Sequence, residues 1–353
     1  MKFNPDTARM EMQNFFEVAL NPLGITKFLH TVTSGYTISA LFVIGISAWF
    51  LIKKRHILLA KKSIVVASAF GLITSAFLLL SGDESAYFVA QKQPMKLAAM
   101  EGLYKGEKNA GLVAAGILNP AKKLGDESDA FLLEIKVPYA LGIMANRELD
   151  SFTPGINDLL YGNSKYNLIS VEEKMAKGKV AIEALKNYKE AKKANDESLM
   201  KSSLSNLESN LNFLGYGYLK DAKDAVPPVA LTFYSFHIMV VLGTYFIALF
   251  AITLYLNLSK KYKFENIRAF LWICLFTIPL GYIAAEAGWI VTEVGRQPWV
   301  IQDLMTVGVG ATNLSDSNVK ISFMLFAVLF TVLLIAEIKI MLKQIKIGFN
   351  DHA

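Results

Sequence analysis

Gly288-Trp289-Ile290-Val291-Thr292-Glu293-Val294-Gly295-Arg296-Gln297-Pro298-Trp299 closes an apolar run that begins near Ile267. The stretch puts a carboxylate, Glu293, at the end of a segment long enough to cross a bilayer, with Arg296 and two tryptophans close by. An ionisable side chain in lipid is costly, so one that persists there marks a functional site by default. Glu286, Trp289 and Glu293 are spaced three and four apart and line one helix face. Two carboxylates on one stripe, expected to be buried, call for a cation, a proton path or a metal. Taken singly, Glu293 is satisfied by Arg296, and Trp289 and Trp299 by the aromatic belt at a membrane surface. The combination is what points to chemistry.

Working outward, the whole chain reads as a membrane protein. Its 353 residues are 53% hydrophobic and 12% aromatic, and its mean hydropathy of +0.37 lies above that of an ordinary soluble domain. Five apolar runs, about 28–52, 64–81, 229–257, 267–291 and 319–340, each approach the roughly 20 residues a bilayer core demands. The fold expected is an all-α, polytopic bundle of five transmembrane helices with a large, largely helical extramembrane loop. Three regions follow: 1–81 with the first two spans, 82–226 as the loop, and 227–353 with the last three spans. Within the loop, Met200, Leu204, Leu207, Leu211 and Leu214 mark one amphipathic helix that stops at Gly215. A lysine-rich helix over 171–194 precedes it, with a turn near Asn195-Asp196, and the pair reads as a packed hairpin without chemistry of its own.

The net charge of +6 is not gathered into one stripe, which argues against nucleic acid as a partner. The basic residues sit beside the apolar runs. Lys53, Lys54, Arg55, Lys61 and Lys62 fall between spans one and two; Lys260, Lys261, Lys263 and Arg268 fall between spans three and four; Lys339, Lys343 and Lys346 accompany the end of span five. The positive-inside rule puts these connections in the cytoplasm, and the N-terminus, the large loop and the segment after Trp299 outside. A chain that starts outside without a leader calls for an even number of spans upstream, so we expect the C-terminal part of a longer polypeptide or half of a split one. The single cysteine, Cys274, lies inside an apolar run, which excludes disulfides, thiolate-held iron–sulfur clusters and cysteine zinc sites.

Nitrogen and sulfur ligands are few: His30, His56, His237 and His352 are the only histidines. His30 lies near the outer end of span one, and Met239 about ten residues into span three, so both fall in the outer half of the bilayer. A lone His in a bundle is more often hydrogen-bonded than ligating, and a lone Met is usually packing. A His and a Met at matching depth on facing helices can nevertheless hold a haem iron axially. His237 competes with Met239, because two residues along a helix turn it about 200° away and only one of the pair can face His30. Chemistry alone leaves both His/His and His/Met ligation open. Lys96 and Glu101 are five apart in the loop, a spacing normal for solvated surface residues.

Several stretches, in order, resemble subunit I of the cytochrome bd-type quinol oxidases. Besides the stretch ending at Trp299 they are Asn4 to Trp49, Gly82-Asp83-Glu84-Ser85, Lys96 to Glu101, and Val137-Pro138-Tyr139-Ala140-Leu141-Gly142-Ile143. The resemblance implies His30 and Met239 as axial ligands of a low-spin haem b, and Lys96 and Glu101 as quinol-site residues. It also implies Glu293 as a ligand or neighbour of a high-spin haem b, with Trp289 beside it and Arg296 on a propionate. Position 237 is commonly Arg in that family; here it is His, which keeps the His/His alternative open. The family's first four helices, which carry the residues for haem d, have no counterpart in these 353 residues, so the oxygen site is not expected to be complete in this chain alone. The implied partners are ubiquinol or menaquinol, O2, a second subunit and the bilayer. The competing expectation is a polytopic transporter or channel with Glu286 and Glu293 forming an ion or proton path.

Overall fold

The computed structural model describes residues 2–259, 263–312 and 314–348. Lys260 and Lys261 of the basic loop, and His352, lie outside the described residues. Among the described residues the chain is mostly helical, and five helical segments are long and apolar enough to cross a membrane.

In chain order the principal helices are α1 (Pro22–Ile52), α2 (Ile57–Lys92) and α3 (Pro94–Glu101). They are followed by α4 (Val171–Ala194), α5 (Glu197–Asn210), α6 (Val229–Leu258), α7 (Arg268–Phe276), α8 (Ile278–Val294) and α9 (Asp316–Ile347). Four strands matter here: β1 (Leu112–Leu118), β2 (Phe131–Val137), β3 (Trp299–Ile301) and β4 (Met305–Thr306). β1 and β2 form an antiparallel hairpin running from Leu112 opposite Val137 to Leu118 opposite Phe131, with a register shift between Val113 and Ala115. The large loop is otherwise mostly helical, as expected, and this hairpin is its main β element.

Two boundaries depart from the sequence reading for identifiable reasons. The second span, expected over 64–81, is the 36-residue helix α2. At 1.5 Å per residue it is about 54 Å long, so it overruns a roughly 30 Å hydrocarbon core and carries Gly82 to Ser85 as helix. Gly82 alone costs only about 1 kcal/mol in a helix, and the chain turns only at Pro94, which opens α3. The fourth span is split at Thr277 into α7 and α8. Pro279 has no N–H to give to the preceding turn and so interrupts the ladder there.

The chain divides into two compact units. One comprises 1–35, 74–245 and 282–310: the loop with the loop-proximal parts of α1, α2, α6 and α8. Its extramembrane core joins α4 to the turn after Trp299 through Leu160, Val171, Met175, Tyr216, Leu219 and Trp299. α4 has the bounds its sequence predicts, capped by the Ser170 hydroxyl at its start and by Asn195 in the left-handed region at its end. α5 stops short of Leu214, and Leu211–Tyr218 tightens into 3-10 turns. Gly217 and Gly178 lie backbone to backbone there; a Cβ on Gly217 would come within 2.5 Å of the Gly178 carbonyl carbon.

The other unit comprises 36–73, 246–281 and 311–353. Lys61 pairs with Glu265 at 3.0 Å, and Asn257 donates to the Lys61 carbonyl at 2.9 Å. Arg55 donates to the carbonyls of Lys346 and Ile347, each at 3.1 Å, which satisfies acceptors that the end of α9 leaves open. α9 itself has no buried residue, as suits a helix whose apolar side chains face lipid or other helices.

Candidate functional site

Every residue the sequence singled out for chemistry lies in the loop-bearing unit. They fall into three groups.

The first group is the pair of candidate iron ligands, His30 and Met239, taken together for their chemistry. His30 is half-buried on α1, and its Nδ1 lies 2.9 Å from Ser81 Oγ on α2. Ser81 gives its own proton to the Leu78 carbonyl at 3.3 Å. With the Ser81 proton directed at that carbonyl, the hydroxyl oxygen accepts from Nδ1–H and the imidazole keeps a bare lone pair on Nε2. Gly82 lies alongside; a Cβ there would be 3.6 Å from His30 Cε1. Met239, half-buried on α6, rests its thioether on Gly288 of α8, where a Cβ would be 2.9 Å from Sδ. One turn further along the same face, a Cβ on Gly243 would meet nothing within 4 Å. His237 turns elsewhere. Its Nδ1 lies 2.9 Å from the Phe233 carbonyl and its Nε2 2.7 Å from the Val113 carbonyl of β1. Both nitrogens thus face carbonyl oxygens.

The second group gathers at the C-terminal end of α8. Arg296 donates to Glu293 Oε2 at 2.5 Å and to the Val300 carbonyl at 3.4 Å, while its Nε is buried with no hydrogen-bond partner. Lys96 of α3 reaches the same place: it is only 7% exposed, and its Nζ lies 3.5 Å from the Thr292 carbonyl. Gly295 leaves room for it, since a Cβ there would be 3.2 Å from Lys96 Cε. Burial pushes the Lys96 ammonium down to about 8; Lys27 and Arg296 add to this by repulsion, and Glu293 opposes it. Glu286 and Trp289 share a face with Glu293, as the spacing predicts, but the stripe is open rather than buried. Glu286 is exposed and Trp289 is 62% exposed. Nothing on this chain covers that face among the described residues.

The third group centres on Glu101, the last residue of α3. It is 1% exposed and neither carboxylate oxygen has a hydrogen-bond partner. Burial raises its pKa to about 8, against the weaker opposing pull of the Val113 backbone and the Lys136 charge. Gly102 follows with φ 62°, and a Cβ there would be 2.7 Å from Phe131 and 3.3 Å from Phe233. The β1–β2 hairpin and α6 therefore close over the end of α3. Lys96 and Glu101 are about 140° apart around that helix, so they enter different surroundings.

One group escaped the sequence reading. Trp299 is buried, not belted at a membrane surface, with its ring 4.7 Å from Tyr216. Tyr216 donates its hydroxyl to Asp303 at 2.8 Å, Gln302 donates to the same oxygen at 2.9 Å, and the Lys174 ammonium sits over the Tyr216 ring. Burial, then the Asp303 charge, holds the Tyr216 phenol protonated. No local pattern announces this cluster; its members come from three separate stretches of chain.

These features define a multi-pass membrane protein with an ionisable site at one end of its helices. Residues 1–349 match the family described as cytochrome bd terminal oxidase subunit I, and the chain belongs to that family. It is 35% identical over 363 residues to the cytochrome bd-II ubiquinol oxidase subunit 1 of Escherichia coli (strain K12), covering 98% of this chain and 66% of the relative. It is 29% identical to the cytochrome bd ubiquinol oxidase subunit 1 of Bacillus subtilis (strain 168), covering 98% of this chain and 61% of the relative. This chain thus spans a little under two-thirds of the length of these curated relatives. The solved bd oxidase from Geobacillus thermodenitrificans shares the fold, with a TM-score of 0.66 at 24% identity over 94% of this chain and 60% of that one.

Proposed function

We propose that this chain is the quinol-oxidising, haem-holding part of a respiratory quinol:oxygen oxidoreductase in a bacterial inner membrane, with its large loop on the outer face. The observation that carries the reading is Glu101: a carboxylate enclosed by protein, with no hydrogen-bond partner and a pKa near neutrality. Such a group is tuned to accept and release protons at physiological pH.

Glu101 takes a proton from a quinol hydroxyl and returns it to the outside. Lys96, beside Glu293 and Arg296, orients an anionic or carbonyl group of a bound molecule. Two quinols release four protons and four electrons, the number that converts one O2 into two waters. When bound, haem supplies one-electron carriage and, at an open coordination position, the reduction of oxygen.

The donor set fits that group. His30 keeps Nε2 unprotonated while Ser81 holds Nδ1, the arrangement of a metal-binding imidazole. Met239 supplies a thioether, which rests on Gly288, and the position of a Cβ on Gly243 one turn along is open. We infer His30 and Met239 as the ligands of a low-spin haem b, because His237 has both nitrogens against carbonyls. The buried, unpartnered Nε of Arg296 suits a propionate. Glu293 and Trp289 would border a high-spin haem, on the face of α8 that this chain leaves open. Ubiquinol or menaquinol as donor, haem d at the oxygen site and a second subunit complete the reading. The two relatives, each named as subunit 1 of a ubiquinol oxidase, support the quinol and the second subunit. An ion path along Glu286 and Glu293 has less support, because Arg296 already engages Glu293.

Glu101→Gln in the purified complex tests the reading. Quinol oxidation is expected to fall at least about a hundredfold, the usual size of a lost acid–base group, with the haem absorption spectrum unchanged. Full turnover in that variant would overturn the proposal, as would a purified complex with no haem b band.

A further inference from the structure

β1 has one neighbour strand, so its other edge would present bare backbone groups. Two side chains of α6 meet that edge. Tyr234 accepts the Leu118 N–H at 3.0 Å, and His237 meets the Val113 carbonyl at 2.7 Å. The two residues are three apart on α6 and so lie on one face. α6 carries Thr232, Tyr234, Ser235 and His237 among its first nine residues, and His237 lies about 12 Å along the helix.

The contact also leads to chemistry. Val113 is buried, its carbonyl meets His237, and its backbone is the one that pulls on the Glu101 carboxylate. The His237 ring lies against Phe233 at 3.9 Å, tilted by 32°, and Phe233 meets Phe131 of β2 at 5.5 Å. Phe131 and Phe233 are the same side chains that close over Gly102. The helix face bearing His237 and Phe233 therefore holds the hairpin shut over the end of α3.

We propose that His237, assisted by Tyr234, is a positioning residue that pins the β1–β2 hairpin against Glu101 and so fixes the wall of the quinol pocket. The proposal rests on the reading of Glu101 as a quinol-site base. His237 touches neither iron nor quinol; it acts through Val113.

Hydrogen–deuterium exchange and steady-state kinetics on the haem-loaded complex in detergent test this. Losing one hydrogen bond of this kind corresponds to roughly a fivefold to tenfold change in an opening equilibrium. In His237→Phe, exchange across 112–118 should quicken by about that factor and KM for quinol should rise similarly, with kcat less affected. The low-spin haem spectrum should stay as it is. His237→Gln, whose amide can again donate to Val113, should recover most of both effects. Tyr234→Phe removes only a hydroxyl and should loosen the Leu118 end of β1, which provides a reading should His237→Phe fail to fold. Unchanged exchange and unchanged KM in His237→Phe would overturn the proposal, and so would loss of the low-spin spectrum. Glu101→Gln serves as the separate control. If it retains full quinol turnover, the quinol-site reading itself has failed, whatever His237 does to exchange.

Discussion

Lys96→Met should make the protein more stable and less active. Lys96 is buried, its ammonium has one long contact, to the Thr292 carbonyl at 3.5 Å, and its nearest charges include Lys27 and Arg296 as well as Glu293. Its pKa falls from 10.5 to about 8, chiefly through burial. At about 1.36 kcal/mol per tenfold change in proton affinity, that corresponds to roughly 3 kcal/mol against the charged form at pH 7. Methionine fills a similar volume without the charge, so up to about 3 kcal/mol should be recovered there. The pH dependence gives the sharper discrimination. Below pH 8 both folded and unfolded chains carry the charge, so the penalty is full and constant. Between pH 8 and 10.5 only the unfolded chain still binds the proton, so wild-type stability should rise relative to Lys96→Met across that window and level off above it. Denaturant unfolding in detergent, followed for both proteins from pH 6 to about 11, measures the difference. A variant less stable than wild type at pH 7, or a difference flat in pH, would refute the argument. Lys96 would then be a well-paired cation and not a strained one.

Four further outcomes follow from the geometry. Met239→Leu should lower the low-spin haem potential or convert the iron to high spin in a redox titration, while His237→Leu should leave the haem in place; the reverse pattern would make His237 the ligand. Gly288→Ala puts a methyl 2.9 Å from Met239 Sδ, so it should perturb the same spectrum without emptying the site, and an unperturbed spectrum would count against the thioether's position. Asp303→Asn weakens the acceptor shared by Tyr216 and Gln302 and should destabilise the loop by about 1–3 kcal/mol, read as faster proteolysis between α4 and β3. Burial raises Glu101 from 4.5 to about 8, so the folded form binds a proton that the unfolded form has released. Wild-type stability relative to Glu101→Gln should therefore decline between pH 4.5 and 8 and be flat above, as denaturant midpoints would report.

Much of the fold is legible in the sequence because membrane crossing leaves a strong signature. The five runs each become helix, and α4 keeps its expected bounds because Ser170 and Asn195 are strong caps at the ends of a helical pattern. The β1–β2 hairpin was not legible. Leu112-Val113-Ala114-Ala115-Gly116-Ile117-Leu118 is a short apolar run that periodicity cannot assign to strand or helix, and the register shift at Val113/Ala115 breaks any alternation. The helix face shared by Glu286, Trp289 and Glu293 follows from spacing alone, but spacing does not say what the face meets; here it is open. The approach of Lys96 to Thr292 joins positions 196 residues apart, and nothing local encodes it.

The placement of Lys96 and Glu101 on one short helix makes physical sense of these energies. An eight-residue helix is too short to be stable by itself, so α3 is held by what surrounds it: α8 on the Lys96 side, the hairpin and α6 on the Glu101 side. A rotation of about 140° between the two residues sends the ammonium to a carboxylate and a helix end, and sends the carboxyl into an apolar enclosure. Each group is shifted toward its neutral form, Lys96 downward and Glu101 upward, and both reach about 8. Were the two side chains on one face, they would pair, and each would be driven toward its charged form and away from neutrality. Keeping them apart on one rigid turn leaves both able to exchange protons near physiological pH. A single added residue between them, such as alanine inserted after Ala98, would turn Glu101 by about 100° relative to Lys96 and should abolish quinol oxidation even where the helix still forms. Retained turnover in that insertion variant would mean that the separation of the two groups is incidental.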